Sequence, residues 1–148
     1  MKILFVCTGN TCRSPMALGL FRLLVQQKDT AGRFILDSAG LSAAEGLPAS
    51  KNAILVCQEL GIDISSHQAR RISGSELDLW DTFFTMSRTH AYILEQAGAP
   101  SQKIYVPSYI EDPFGQDLDA YRRCRDKLAE QLELFYQQTA APFLRLES

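Results

Sequence analysis

A thiol and a guanidinium near the start of this sequence have the types and spacing needed for phosphoryl transfer. Cys7 follows the apolar run of residues 3–6, and Arg13 comes six residues later. A loop from a strand into a helix can direct several backbone N–H groups at one anion, and the helix adds its positive end. The planar guanidinium of Arg13 matches two phosphate oxygens. We therefore predict a phosphate-binding loop with Cys7 as its nucleophile.

The residues between the two groups suit such a loop. Gly9 permits unusual dihedrals, and Asn10 is one of the few other residue types that tolerate the left-handed region. The field that attracts phosphate is expected to lower the pKa of the Cys7 thiol, and Ser14 can donate its hydroxyl to the sulfur. The alternative is a buried core cysteine followed by a surface arginine. The apolar run before the loop and the helix signal after it favour the functional interpretation.

Apolar runs alternate with helical patterns along the chain, and this alternation predicts where the phosphate-binding loop lies in the fold. The alternation predicts right-handed βαβ units and an α/β fold with a parallel sheet covered on both faces. In such sheets ligands bind beyond the carboxyl ends of the strands, and Cys7 ends the first of them. The predicted strands are 2–7, 33–38, 80–86 and 103–106. One helix is predicted to start near Pro15, and the others cover 50–60, 88–97 and 117–138. Residues 39–51 are predicted to form one long loop.

Length and composition limit the classes of function. The 148 residues, 46% of them apolar and 22% charged, predict a single domain over 1–148. The net charge of −2 gives no reason to expect nucleic acid or an anionic membrane as a partner. No run is long enough for a signal peptide or a membrane span, so we expect a cytoplasmic protein with free thiols. No Cys/His spacing predicts a metal site, and no cofactor is expected.

Several segments resemble one known family. Residues 7–15 resemble the signature loop of the low-molecular-weight protein tyrosine phosphatases, and the resemblance covers nearly the whole chain. The other matching segments are DSAG at 37–40, SSHQARR at 65–71 and DPF at 112–114. The resemblance implies a three-layer sandwich in which helices flank a four-stranded parallel sheet. It also implies a cysteine-dependent phosphatase that acts on phosphorylated proteins, and we expect it to be a monomer.

The same resemblance implies a general acid. The family takes the leaving-group proton from the aspartate of an Asp-Pro pair, which matches Asp112 here. Pro113 disfavours the helical region for the residue before it, so Asp112 is expected to be extended. It could later serve as the base that activates water. The alternatives are a simple turn before the last helix and Glu111 as the acid, although Glu111 lacks the proline restraint.

Other residues receive roles from the resemblance or from their pattern. Cys12 could form the family's reversible disulfide with Cys7, or it could point into the core, and the sequence leaves both open. Asn10, Ser14, Ser38 and His67 match a hydrogen-bond network that shapes the loop. We expect His90 on a helix surface and the remaining cysteines, Cys57 and Cys124, in the core.

We predict phosphoarginine on proteins as the substrate, and this prediction depends on Thr11. Tyrosine phosphatases of this family often carry Ile at this position, whereas CTGNTCRSP and DPFG resemble the protein arginine phosphatase branch. The substrate-binding residues are predicted to be Thr8, Gly9, Asn10, Thr11, Cys12, Ser14 and Phe114. Phe114 can stack on a flat guanidinium, and residues 42–49 contain no aromatic side chain.

Phosphotyrosine is the main alternative substrate. An arsenate reductase would need additional cysteines near the third strand, and residues 80–90 contain none. A non-catalytic phosphate-binding module would require neither the thiol nor the acid.

Overall fold

The computed structural model of the protein describes residues 1–147 and contains a parallel sheet of four strands. These are β1 (Lys2–Cys7), β2 (Ile35–Gly40), β3 (Thr82–Thr85) and β4 (Ile104–Tyr105). Their order is β2-β1-β3-β4. Strand β1 is therefore central, and it pairs with β2 along its whole length, from Lys2 opposite Ile35 to Cys7 opposite Gly40. This order places Cys7 in the middle of the carboxyl edge of the sheet.

Helices cover both faces of the sheet. They are α1 (Arg13–Gln27), α2 (Lys51–Gln58), α3 (Arg88–Gln96), α4 (Leu118–Phe135) and α5 (Ala141–Leu146), with a π-helical stretch at Tyr136–Ala140. Alternate side chains of β1 point to opposite faces. Ile3, Phe5 and Cys7 join the core formed with α1, α2 and α4, whereas Leu4 and Val6 join the core on the α3 side. The predicted three-layer sandwich is confirmed. None of the described helices is both long and apolar enough to cross a membrane.

Some predicted boundaries were wrong. The second strand covers Ile35–Gly40 rather than 33–38, because Ala31–Arg33 form a 3-10 turn and pairing with β1 continues to Gly40. The third and fourth strands are shorter than predicted. The last helical region extends past 138 through Tyr136–Ala140 into α5. Pro142 near the start of α5 has no N–H to continue the regular α-helical pattern.

Gly40 marks the point where β2 touches the predicted phosphate loop. A Cβ at this position would lie 2.6 Å from the carbonyl oxygen of Thr8 and 3.0 Å from the backbone nitrogen of Asn10. Both neighbours are backbone atoms, which cannot rotate away as a side chain could. Gly40 is therefore required by the close approach of two backbone segments.

We predict that Gly40→Ala destabilises the protein by about 1–3 kcal/mol, the usual cost of overpacking. Urea unfolding of the variant would measure this change in the free energy of unfolding. Gly32→Ala is the matched control, since a Cβ there meets nothing within 4 Å. Equal unfolding midpoints for the two variants would contradict the proposed close approach.

Candidate active site

The loop between β1 and α1 keeps backbone donors available for an anion. The N–H groups of Gly9, Thr11, Cys12 and Arg13 have no acceptor among the described residues. Helix α1 begins directly after the loop, and no side chain caps its N-terminus. Free N–H groups at the start of a helix attract negative charge. The loop and helix together therefore have the features of a phosphate site.

Asn10 fixes the shape of the loop. It is fully buried and has a φ of 57°, in the left-handed region. Its Nδ2 donates to the Oγ of Ser14 at 2.8 Å and to the Oγ of Ser38 at 3.0 Å. Its Oδ1 accepts from the Arg70 N–H at 2.9 Å, and the Nε2 of His67 lies 2.7 Å from its carbonyl oxygen. The four residues predicted to form a network are thus in direct contact.

Arg70 is itself anchored on the far side of this network. Its guanidinium donates to both carboxylate oxygens of Glu76, at 2.8 and 2.9 Å. Burial raises the pKa of Glu76, but hydrogen bonds from Arg70 and Ser73 outweigh burial and bring the pKa to about 2. The carboxylate is therefore ionised at neutral pH. This ion pair holds the 65–71 segment beside the loop.

Cys7 lies at the base of the loop with only 3% of its surface exposed. Its Sγ is 2.9 Å from the Oγ of Ser14 and accepts the N–H of Asn10 at 3.3 Å. Burial raises the pKa of the Cys7 thiol, while the Ser14 and Asn10 hydrogen bonds and the charge of Arg13 lower it. Burial is the largest of these effects, so the net direction is upward. The sequence-based expectation of a lowered pKa was wrong because it omitted burial.

Arg13 connects the loop to the segment that carries Asp112. One guanidinium nitrogen donates to the carbonyl oxygen of Ile110 at 3.0 Å, and the other lies 3.6 Å from a carboxylate oxygen of Asp112. The second carboxylate oxygen of Asp112 accepts the N–H of Phe114 at 3.1 Å. A cavity of about 230 Å³ is lined by residues 7–13, Asp112 and Phe114. The thiol, the guanidinium and the carboxylate therefore share one cavity.

Cys12 is a buried residue of the loop that lines this cavity. Its Sγ lies 3.3 Å from the Oη of Tyr121 and 3.5 Å from the Oγ of Ser50. All four cysteines are free in the structure. The core position predicted as one alternative is thus the observed state, and pairing with Cys7 stays a prediction.

The remaining two cysteines are core residues, as predicted. Burial raises the pKa of Cys57 to about 11 and that of Cys124 to about 12. Neither of them lines the cavity that contains Cys7. Their positions give no support to the arsenate reductase alternative, which needs additional cysteines that can form a disulfide relay with the nucleophile.

His90 was predicted on a helix surface, and this prediction was wrong. It is 5% exposed, and its Nε2 lies 2.9 Å from the Oγ1 of Thr8. His90 precedes Leu94, also buried, by four residues on α3. That spacing puts both side chains on one helical face and was the signal that could have identified His90 as buried.

Comparisons with known proteins identify the family of this chain. The family model described as "Low molecular weight phosphotyrosine protein phosphatase" matches residues 2–142. A protein-arginine-phosphatase of Geobacillus stearothermophilus is 36% identical over 136 residues, covering 86% of this chain and 88% of that protein. A probable low molecular weight protein-tyrosine-phosphatase, EpsP of Ralstonia solanacearum, is 42% identical over 126 residues, covering 80% and 82%.

A similar solved structure carries a phosphorylated residue in its active site. It is of YwlE arginine phosphatase, in a cysteine-to-serine mutant with a phosphorylated active-site serine. The two structures superimpose with a TM-score of 0.84 at 28% identity, covering 95% of this chain and 99% of that one.

The contacts of Cys7 predict how its ionisation depends on Ser14. The Ser14 hydrogen bond lowers the pKa of Cys7, so Ser14→Ala should raise that pKa. The pH midpoint for alkylation of Cys7 by iodoacetamide should then move upward, and alkylation at pH 7 should be slower. Ser101→Ala, in an exposed turn, should leave the midpoint unchanged. A midpoint that stays constant or falls in Ser14→Ala would show that Ser14 does not stabilise the thiolate.

Proposed function

Since the chain belongs to the low molecular weight phosphotyrosine protein phosphatase family and is a cysteine-dependent protein phosphatase, we propose that its substrate is phosphoarginine on proteins. The observation that carries the proposal is the cavity in which Cys7, Arg13 and Asp112 meet, with Thr11 rather than an aliphatic residue in its wall. The protein-arginine-phosphatase name of a relative supports the same substrate.

The first chemical step follows from the positions of these groups. The Cys7 thiolate attacks phosphorus while the free loop N–H groups and Arg13 stabilise the negative oxygens. The P–N bond breaks as the S–P bond forms. Asp112 gives its proton to the departing guanidine nitrogen and becomes a carboxylate. The products of this step are a cysteinyl phosphate on Cys7 and an unmodified arginine.

The second step returns the enzyme to its starting state. The Asp112 carboxylate takes a proton from a water molecule as the water oxygen attacks phosphorus. The S–P bond breaks, and inorganic phosphate leaves. The Oγ of Ser14, 2.9 Å from the Cys7 sulfur, stabilises the thiolate as it departs. Both steps use groups that line the same cavity or contact its floor.

The choice of phosphoarginine rests on polarity at the cavity. A phosphoguanidinium is planar, cationic and rich in N–H donors, so it needs acceptors beside the phosphate donors. Thr11, whose hydroxyl can accept a hydrogen bond, lines the cavity, and the half-exposed carboxyl group of Asp112 keeps one acceptor oxygen while the other carries the proton to be transferred. Phe114 is 72% exposed at the same cavity and offers a flat face for stacking.

Phosphotyrosine is the second candidate, and Phe114 is the observation that favours it. An exposed aromatic ring can stack on a phenyl ring as well as on a guanidinium. The relative EpsP carries the tyrosine phosphatase name. The 41–50 segment, however, supplies no second aromatic wall.

We further propose that the enzyme works in the cytoplasm, as a monomer. The four free cysteines support a reducing compartment, since disulfides are rare there. The roles given to the loop residues Thr8, Gly9, Asn10 and Cys12 are likewise part of the proposal.

Asp112→Asn should reduce turnover by roughly 10²–10⁴-fold, as expected when a general acid is lost. The reduction should be smaller for aryl phosphates with low leaving-group pKa, because those need less protonation. Steady-state kcat across a leaving-group series would measure this dependence. Glu111→Gln is the neighbouring control and should retain near-normal turnover. A loss in Asp112→Asn that is the same for every leaving group would assign Asp112 a structural role.

Thr11→Ile should shift preference from phosphoarginine towards phosphotyrosine. Isoleucine removes the polar contact to the guanidinium and adds apolar surface suited to an aryl ring. The test compares kcat/KM for both substrates in the wild type and the variant, with Cys7→Ser as the inactive blank. A wild type that strongly prefers phosphotyrosine, with no change in Thr11→Ile, would leave a tyrosine phosphatase.

A further inference from the structure

Thr8 and His90 form a contact between the phosphate loop and α3. The Oγ1 of Thr8 and the Nε2 of His90 are 2.9 Å apart. Thr8 is exposed and lines the cavity together with Cys7 and Arg13, whereas His90 is buried behind it. Either atom of the pair could supply the hydrogen. The direction of this bond decides what the Thr8 hydroxyl offers to a ligand.

The surroundings of the other ring nitrogen of His90 show which atom donates in the hydrogen bond between Thr8 and His90. Its Nδ1 is buried and has no hydrogen-bond partner among the described residues. Burial lowers the pKa of His90 to about 4, the charge of Arg13 acts in the same direction, and that of Asp112 opposes both. The ring is therefore neutral at pH 7 and carries one N–H. A buried N–H without an acceptor is rarer than an unused lone pair, so the hydrogen belongs on Nε2.

With the hydrogen on Nε2, Thr8 accepts the bond from His90 and its own hydroxyl hydrogen stays free. We propose that His90 is a positioning residue that keeps the Thr8 hydroxyl as a hydrogen-bond donor to the phosphoryl group in the loop. The proposal rests on the phosphatase site described above and adds one side-chain donor to its backbone donors.

The opposite tautomer would reverse the effect. If Nδ1 carried the hydrogen, Thr8 would donate to Nε2 and would present only lone pairs to the phosphoryl oxygens. Lone pairs facing an anion repel it, so the contact would weaken phosphate binding. The tautomer of one buried histidine thus determines whether Thr8 helps or opposes the ligand.

The tautomer can be measured in the unmodified protein. Nitrogen-15 NMR of the histidine rings at pH 7, with and without inorganic phosphate, separates a protonated nitrogen from a bare one by chemical shift. We expect the Nε2–H form of His90 in both samples. Observation of the Nδ1–H form would overturn the proposal without any variant that could misfold.

Inhibition by inorganic phosphate tests the donor itself. Thr8→Val keeps the side-chain shape without the hydroxyl and should weaken phosphate binding roughly tenfold or more, as for a lost hydrogen bond to a charged group. His90→Leu should weaken phosphate binding similarly. The double variant should bind phosphate little more weakly than either single variant, because both changes remove the same contact. His90→Gln retains an N–H donor at the end of its side chain and should restore binding. Thr89→Val, exposed on α3, is the control.

The outcomes separate this proposal from the proposed function. If the wild type binds no phosphate, both fail. If wild type and Thr8→Val bind phosphate equally well, the Thr8 donor is wrong while the phosphatase site stands. If His90→Leu lowers only the free energy of unfolding and leaves the phosphate inhibition constant unchanged, His90 is merely structural and the proposal is overturned.

Discussion

The left-handed conformation of Asn10 is the constraint on which the rest of the site depends. A non-glycine residue with a backbone φ near 57° is unusual, and here five hydrogen bonds made by fully buried Asn10, as donor or acceptor, hold it in place. These bonds connect the loop to β2, to α1 and to the 65–71 segment. They also involve every side-chain polar atom of Asn10, so this buried side chain has no unsatisfied polar atom. The loop therefore keeps its shape without using the neighbouring N–H groups that a phosphate needs.

The guanidinium of Arg13 has two roles at this site. The Arg13 side chain is only 6% exposed and contacts both Ile110 and Asp112. The guanidinium that can bind phosphate therefore also holds the segment of the proposed general acid. Burial works against ionisation of Cys7, and the same enclosure makes each hydrogen bond to its sulfur stronger than it would be in water. The hydrogen bonds from Ser14 and Asn10 and the charge of Arg13 are thus the interactions that favour the thiolate of Cys7 against burial.

Local signals in the sequence were sufficient to predict the sheet, since apolar runs identified all four strands. The role of Asp112 came from the family resemblance, and the structure places this residue in the same cavity as Cys7. The surroundings of Cys7 and His90 could not be predicted in this way. Both depend on how far α1 and α3 cover the edge of the sheet, which is set by packing between segments far apart in sequence. His90 reaches Thr8 across 82 positions, and the contact of Cys12 with Tyr121 spans 109.

The cavity separates two kinds of hydrogen-bonding group, and this separation bears on substrate choice. Donors are concentrated at the loop, where Arg13 lines the cavity and the free N–H groups have no acceptor within the described residues. Acceptors lie at Asp112, whose carboxyl group is half exposed and keeps an acceptor oxygen when protonated, and at Thr11. Phosphoarginine has the complementary arrangement, an anionic phosphoryl group bonded directly to a cationic donor group. Phosphotyrosine would use the donors but leave the acceptors facing an apolar ring, and polar groups left unpaired on binding reduce affinity. The arrangement of polarity, rather than the aromatic ring of Phe114, is therefore the feature that favours the arginine substrate.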